Sequence, residues 1–417
     1  MIFTTDPAFA KHADDNDELK EFRKKFIIPQ RQGKEQIYFL GNSLGLQPIT
    51  TNAAIKEVLD QWSYYGVEGF FEGEKPWLHF HDQLTGPLSK IAGAKPAEIV
   101  VMNHLTVNLH LLMASFYRPL GKRNKIICEA KAFPSDQYML ETHVKHYGFD
   151  PAATIIEVHP REGENIIRHE DILQKIDEHK EELTLVLWGG VNYYTGQLFD
   201  IKNITKAAHD VGAIAGFDLA HAAGNVELQL HEWNVDFACW CSYKYLNSGP
   251  GAVAGAFIHE RYIADKNVPR LAGWWGYEKA ARFKMEKGFK PSPTAEGWQL
   301  STPPMILLAA HKASLEIFDA AGMDRLIKKG NTLSDYLIFL LTKINQDNIQ
   351  ILTPGHKGCQ VSLLFTKGGR QIFEELSRQG IFADWREPGV IRVAPVPLYN
   401  TFEEVYRFAE VIKKLSA

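Results

Sequence analysis

The chain has 417 residues, 45% hydrophobic and 23% charged, with a net charge of −4. That is the profile of a globular protein too long for one simple core, so two domains are expected. The slight acidity argues against a nucleic-acid groove, and no apolar run reaches the roughly 18 residues that a membrane span needs.

The N-terminus, Met1-Ile2-Phe3-Thr4-Thr5-Asp6, lacks the basic and apolar regions of a secretory leader, so none is expected. Four cysteines, Cys128, Cys239, Cys241 and Cys359, do not make a disulfide framework in a chain of this length. Cys239 and Cys241 read as buried thiols on one strand face rather than metal ligands, and no metal is expected. A reducing cytoplasm is the expected compartment.

Residues 1–50 carry a charged segment, Asp15–Phe26, that predicts a helix, and a short strand, Tyr38–Leu40. This arm is expected to pack on the C-terminal unit or on a partner chain. From Lys90 to Ile258 apolar runs alternate with helical patterns. The predicted strands are Glu98–Met102, Lys125–Glu129, Thr154–Val158, Thr184–Leu187, Ala213–Asp218, Phe237–Ser242 and Ala252–Ile258. Helices are predicted at His104–Tyr117, Ser135–His146, Glu170–Lys180 and Ile204–Val211. Apolar strands alternating with helices indicate an α/β domain, residues 51–305, with a mostly parallel seven-stranded sheet covered on both faces. The last two strands follow each other closely and predict an antiparallel edge. After Pro303-Pro304 an apolar helix, Ile306–Ala320, leads to a smaller α+β domain, residues 306–417. Its expected elements are helix Leu333–Ile344, strand Gln360–Phe365, helix Arg370–Gly380, strand Val390–Val393 and helix Phe402–Leu415.

The stretch Ser242-Tyr243-Lys244-Tyr245-Leu246-Asn247-Ser248-Gly249-Pro250-Gly251 is the most informative in the chain. It sets one lysine between aromatic residues, after an apolar strand and before a Gly/Pro turn. Desolvation favours the neutral amine of a lysine, a nucleophile that forms Schiff bases with carbonyls. Upstream, Gly216-Phe217-Asp218-Leu219-Ala220-His221 ends an apolar strand in an acid and a histidine. A lysine for an imine and an aspartate for a pyridinium nitrogen are the pair that pyridoxal phosphate requires. Each residue alone reads more readily as ordinary structure; together and in this order they point to that cofactor.

Ligands of open α/β sheets sit beyond the carboxyl ends of the strands. Asp218, His221 and Lys244 fall there, as does Phe133-Pro134-Ser135-Asp136. Ser135 can cap the following helix, and Phe133 can lie on a cofactor ring. Thr106, in His104-Leu105-Thr106, starts a helix whose free N–H groups suit a phosphate, although capping alone would also explain it.

Six segments in order resemble the kynureninase family. They are Tyr38-Phe39-Leu40-Gly41-Asn42-Ser43-Leu44-Gly45, Phe133-Pro134-Ser135-Asp136, Tyr194-Thr195-Gly196-Gln197, Asp218-Leu219-Ala220-His221, Ser242-Tyr243-Lys244-Tyr245, and Ile391-Arg392-Val393-Ala394-Pro395-Val396-Pro397-Leu398-Tyr399-Asn400. The resemblance implies an aspartate-aminotransferase-like (fold type I) homodimer with shared active sites. It implies pyridoxal 5′-phosphate as cofactor and hydrolysis of L-kynurenine to anthranilate and L-alanine. It makes Lys244 the Schiff-base lysine and Asp218 the partner of the pyridine nitrogen. Phe133 would stack on the ring, with Ser135, Asp136 and His221 around it. Leu105 and Thr106 would line the phosphate pocket. Tyr243 would reach the phosphate and is the candidate acid/base at the γ-ketone. Trp274 and Thr302 match the segment that enters the partner's site. Arg392 would hold the α-carboxylate, which a guanidinium fork suits; the alternative is a surface ion pair with an acid such as Glu387. Asn42 and Phe70 complete the expected substrate pocket.

Animal members, which favour the 3-hydroxylated substrate, tend to have Asn at the position of Thr302 and His near Gly69-Phe70-Phe71. The departures here imply the bacterial pattern and a preference for unmodified L-kynurenine, with 3-hydroxy-L-kynurenine used more weakly. Two rivals stay open at this point. One is another fold type I enzyme, an aminotransferase or a cysteine desulfurase, for which Cys359 is the one nucleophile candidate. The other is a non-catalytic binding scaffold.

Overall fold

A computed structural model describes residues 2–265, 267–344 and 347–416. Seven strands form the large sheet. From one edge they run Ile99–Val101, Gly255–Ile258, Phe237–Trp240, Ile214–Asp218, Leu183–Gly189, Lys125–Glu129 and Ile155–Val158. Gly255–Ile258 is antiparallel to both of its neighbours, and the other pairings are parallel. The antiparallel strand is therefore real but interior, not an edge. The chain between Trp240 and Gly255 forms the lysine loop instead of a crossover helix, so it must turn back. The earlier strand Ile99–Val101 then covers its open side.

The central strands are buried along their length because helices cover both faces. Val186, Trp188, Phe217 and Trp240 face one core, and Ile126, Leu185, Phe237 and Cys239 the other. Two helices that sequence patterning passed over, Thr51–Tyr65 and Asp82–Ala92, belong to the first layer. The second contains Pro87, which interrupts its helical signature. Helix Met305–Ala321 joins this core through Leu308, Leu315 and Phe318. The packing thus changes hands near Gly322, later than the expected boundary at 306.

Helix Met323–Ile344 opens the second core. An antiparallel sheet of Ile349–Ile351, Val361–Phe365, Val390–Val393 and Asp384–Arg386 lies against it. Helices Gly369–Arg378 and Phe402–Ser416 complete the unit. The two outer strands are too short to show a periodicity of their own.

The N-terminal arm differs from expectation. The helix is Pro7–Asp15, with Pro7 in its first turn and the Asp6 carboxylate capping Ala8 N at 2.9 Å. Residues Lys20–Lys25 make only a 3₁₀ turn. The Asp17 side chain takes the Leu19 N–H at 2.9 Å and competes with helix continuation there. Ala10 and Ala13 pack in the C-terminal core, and Ile37–Tyr38 pairs in parallel with Ile381–Phe382.

Candidate active site

Three neighbouring parallel strands end together at Glu129, Gly189 and Asp218. Beyond them opens a cavity of about 330 Å³ lined by Leu105, Thr106, Phe133, Ser135, Asp136, His221, Tyr243 and Lys244 as well as by those strand ends. Residues from segments far apart in sequence thus meet where an open sheet places its ligands.

Lys244 is buried in the Ser242–Gly251 loop. The loop closes on itself through Asn247 N to Lys244 O at 3.0 Å and Ser248 N to Ser242 O at 3.1 Å. Gly45 supports it from behind: Gly45 N donates to Tyr243 O at 2.8 Å, and a Cβ at Gly45 would collide with the Lys244 carbonyl. The Tyr38–Gly45 segment therefore backs the lysine loop. Lys244 Nζ lies 3.2 Å from His221 Nε2, 5.6 Å from the Phe133 ring centroid and 5.9 Å from that of Tyr243. Burial, then the Lys244 charge, holds the His221 imidazole well below its ordinary value and so neutral. Among the described residues His221 Nδ1 has no hydrogen-bond partner.

The floor is acidic. Asp218 accepts from Ala220 N at 2.7 Å and pairs with the Asp136 carboxyl. Burial raises both, and the negative Asp218 beside it raises Asp136 further. The two share a proton, which Asp136 holds. Ser135 does not cap its helix: Phe133 occupies that position, and Ser135 Oγ donates to Asp136 Oδ1 at 3.1 Å.

Glu129 is a third buried acid, raised to about 7 by burial and held by Asn192 Nδ2 at 2.9 Å. Sequence reading missed it, although an acid ending an apolar strand is the same signal that singled out Asp218. Tyr193, which lines the cavity edge-on to Phe133 at 5.2 Å, was also missed; it adjoins the Tyr194-Thr195-Gly196-Gln197 segment.

The other expected residues stand outside this cavity. Arg392 is buried beside it, where it donates to the Tyr193 carbonyl and pairs with Asp384. The surface pair with Glu387 is thereby overturned: the neighbouring strand Asp384–Arg386 supplies the acid. Burial lowers Arg392 to about 10, and its Nε has no partner among the described residues. Asn42 donates to Gln360 Oε1 at 3.0 Å, a bond between the arm and the second sheet rather than a cavity contact. Phe70 packs edge-on to Trp77 at 5.3 Å. Trp274 and Thr302 are exposed. The Tyr243 hydroxyl, raised first by burial, is hydrogen-bonded with the Cys241 thiol.

These residues fit pyridoxal phosphate. A buried pair of acids with one proton is matched by a pyridinium N–H, and a buried lysine amine by an aldehyde. The uncapped start of helix Leu105–Phe116 offers N–H groups to a phosphate.

Residues 326–412 match the kynureninase C-terminal domain. The chain is 54% identical to the kynureninase of Flavobacterium psychrophilum, with 99% of each chain covered. It is 48% identical to that of Koribacter versatilis, with 98% of this chain and 97% of the other covered. The chain belongs to the kynureninase family. Among solved structures, an apo cysteine desulfurase from Thermococcus onnurineus superposes with a TM-score of 0.78 at 20% identity, over 96% of this chain and 98% of that one. A cystine C–S lyase bound to its product cysteine persulfide superposes at 0.75 with 17% identity, over 90% and 97%. These likenesses carry the fold: the α/β, fold type I architecture. In this kynureninase family member the desulfurase candidate Cys359 is buried, its thiol pushed up to about 12 by burial, and its N–H is tied to Asn225 Oδ1 at 3.0 Å. A nucleophilic cysteine must be accessible and ionisable.

Proposed function

We propose that the chain hydrolyses the Cβ–Cγ bond of L-kynurenine with one water, giving anthranilate and L-alanine, with pyridoxal 5′-phosphate as cofactor. The observation that carries this reading is the Lys244–His221 pair facing the Asp136–Asp218 acid pair across one cavity, on a chain about half identical to kynureninases along its whole length. When bound, the cofactor supplies an electron sink for the charge left as bonds to the substrate's α- and β-carbons break.

The chain's own residues do the rest. Asp218, kept ionised by a pyridinium, holds that sink protonated, and Asp136 braces it. Lys244 Nζ carries the α-proton, with neutral His221 Nε2 as its hydrogen-bond partner at 3.2 Å. Phe133, whose ring centroid lies 5.6 Å from Lys244 Nζ, lines the cavity as the ring that would stack on the cofactor. The start of helix Leu105–Phe116, with Thr106, holds the phosphate. Arg392 reads the α-carboxylate. Tyr243 is the acid/base at the γ-carbonyl; its hydroxyl, raised by burial, is protonated at neutral pH.

The reading includes a homodimer in which Trp274 and Thr302 of one subunit complete the other's site. Trp62, Tyr64, Val67, Phe71, Trp274 and Phe283 are exposed, and Phe283 touches both Phe71 at 5.4 Å and Trp274 at 5.5 Å. An apolar surface of this kind suits a subunit interface. Thr302 and Phe70 offer no amide or imidazole to a ring hydroxyl, which favours L-kynurenine over its 3-hydroxy form. The reading places the enzyme in the cytoplasm; among the described residues no helix is long and apolar enough to cross a membrane.

Incubation of the cofactor-loaded protein with L-kynurenine should release anthranilate, read by its fluorescence, together with one alanine per anthranilate. Transamination without anthranilate would transfer the chain to the aminotransferases.

A further inference from the structure

The loop after strand Leu183–Gly189 joins the two sheets. Three successive carbonyls of this loop are taken by side chains of the second unit. Tyr193 O accepts from Arg392 and from Gln360 Nε2 at 3.0 Å. Tyr194 O accepts from Ser362 Oγ at 2.6 Å, and Thr195 O from Thr353 Oγ1 at 2.6 Å. Consecutive carbonyls can be received in this way only if the backbone between them is held.

One side chain holds it. Asn192 Oδ1 accepts from Tyr194 N at 3.0 Å, Thr195 N at 2.9 Å and Thr195 Oγ1 at 3.0 Å. Its Nδ2 is anchored to Glu129 Oε2 at 2.9 Å, in the cavity wall. Gly189 makes this possible, because a Cβ there would lie 2.6 Å from Glu129 Oε1. A continuous path therefore runs from Glu129 through Asn192 and the Tyr193 carbonyl to the Arg392 guanidinium. Among the described residues Arg392 has two hydrogen-bond partners, Tyr193 O and Asp384, and an unpartnered Nε. Without the carbonyl, Asp384 alone would orient it, turned onto its own strand's neighbour.

We propose that Asn192 is a positioning residue that holds the Tyr193 carbonyl against Arg392 and so aims the guanidinium at the substrate's α-carboxylate. The inference rests on the reading of Arg392 as the carboxylate site. Asn192 touches no reacting atom. Its removal should weaken carboxylate binding and leave cofactor loading and bond cleavage largely alone.

The test uses the cofactor-loaded enzyme, with the product L-alanine, which has no Cβ–Cγ bond to cleave, as a probe titrated by the change in cofactor absorbance. Asn192→Ala should raise the Kd for L-alanine and the KM for L-kynurenine about five- to ten-fold, the loss of roughly one net hydrogen bond. Affinity for pyridoxal phosphate and kcat should each stay within about two-fold. Thr195→Val, which removes one of the donors to Asn192 at little steric cost, should move Kd and KM in the same direction by less. It serves where Asn192→Ala does not yield folded protein. Arg392→Lys separates the two ideas. If it weakens L-alanine and neither loop variant does, the role of Asn192 is overturned and that of Arg392 stands. If Arg392→Lys leaves L-alanine binding unchanged, the carboxylate reading itself falls and takes the inference with it. A parallel loss of cofactor affinity, kcat and KM in the loop variants would make Asn192 a general support of the site and overturn its positioning role.

Discussion

Replacing Glu129 by glutamine should stabilise the cofactor-free protein, and only above mildly acidic pH. Glu129 is 5% exposed, and burial raises its carboxyl from 4.5 to about 7. Folded protein therefore keeps a proton that the unfolded chain has lost across that window. Stability falls as pH rises from 4.5 to about 7 and is level beyond it. At about 1.36 kcal/mol per pH unit, the window is worth about 3 kcal/mol. Glutamine has nearly the shape of the protonated acid, and its carbonyl can still accept the Asn192 amide. It has no charge to bury. The two proteins should thus unfold alike at pH 4.5, whereas near pH 8 the variant should be more stable by up to about 3 kcal/mol. Urea midpoints of both proteins, followed by tryptophan fluorescence across that range after removal of the cofactor, make the comparison. The difference at each pH isolates Glu129 from other titrating groups. A gap independent of pH, or one that widens towards acid, would refute the account of Glu129 as a carboxyl kept neutral by burial.

Lys244→Ala should abolish both turnover and the borohydride-reducible link to pyridoxal phosphate; a surviving link, located by peptide mapping, would identify another lysine. Asp218→Asn should fold, bind cofactor and lose about ten- to a hundred-fold or more in kcat, because an amide cannot pair with a pyridinium; near-normal turnover would remove Asp218 from its role. Arg392→Lys should lower kcat/KM for L-kynurenine while leaving the resting cofactor spectrum little changed, since an ammonium cannot form the planar fork; an unaltered kcat/KM would place carboxylate recognition elsewhere.

Local chemistry made much of this protein readable in advance. Apolar runs such as Lys125–Glu129 and Ile214–Asp218, set between helical patterns, mark buried parallel strands, and the residues at their carboxyl ends line the cavity. The lysine loop was legible because its aromatic flanks and Gly/Pro turn lie within ten consecutive residues. Other features depended on contacts that sequence neighbours do not report. The interior place of Gly255–Ile258 depends on Ile99–Val101, a strand made much earlier in the chain. The helix expected at Asp15–Phe26 was lost to a side-chain bond from Asp17, which competes locally with the backbone ladder. The acid that pairs with Arg392 is Asp384 and not Glu387, because the antiparallel register sets Asp384 opposite Arg392. Glu129 acquires its raised carboxyl from burial and from Asp218 on another strand. Sequence alone thus determined the fold class and picked out a lysine and an aspartate that line the candidate site's cavity, because periodicity and local turn chemistry carry them. Tertiary structure alone decided which buried charges meet and which remain neutral, because burial and Coulomb interactions depend on distances between segments that only the folded chain brings together.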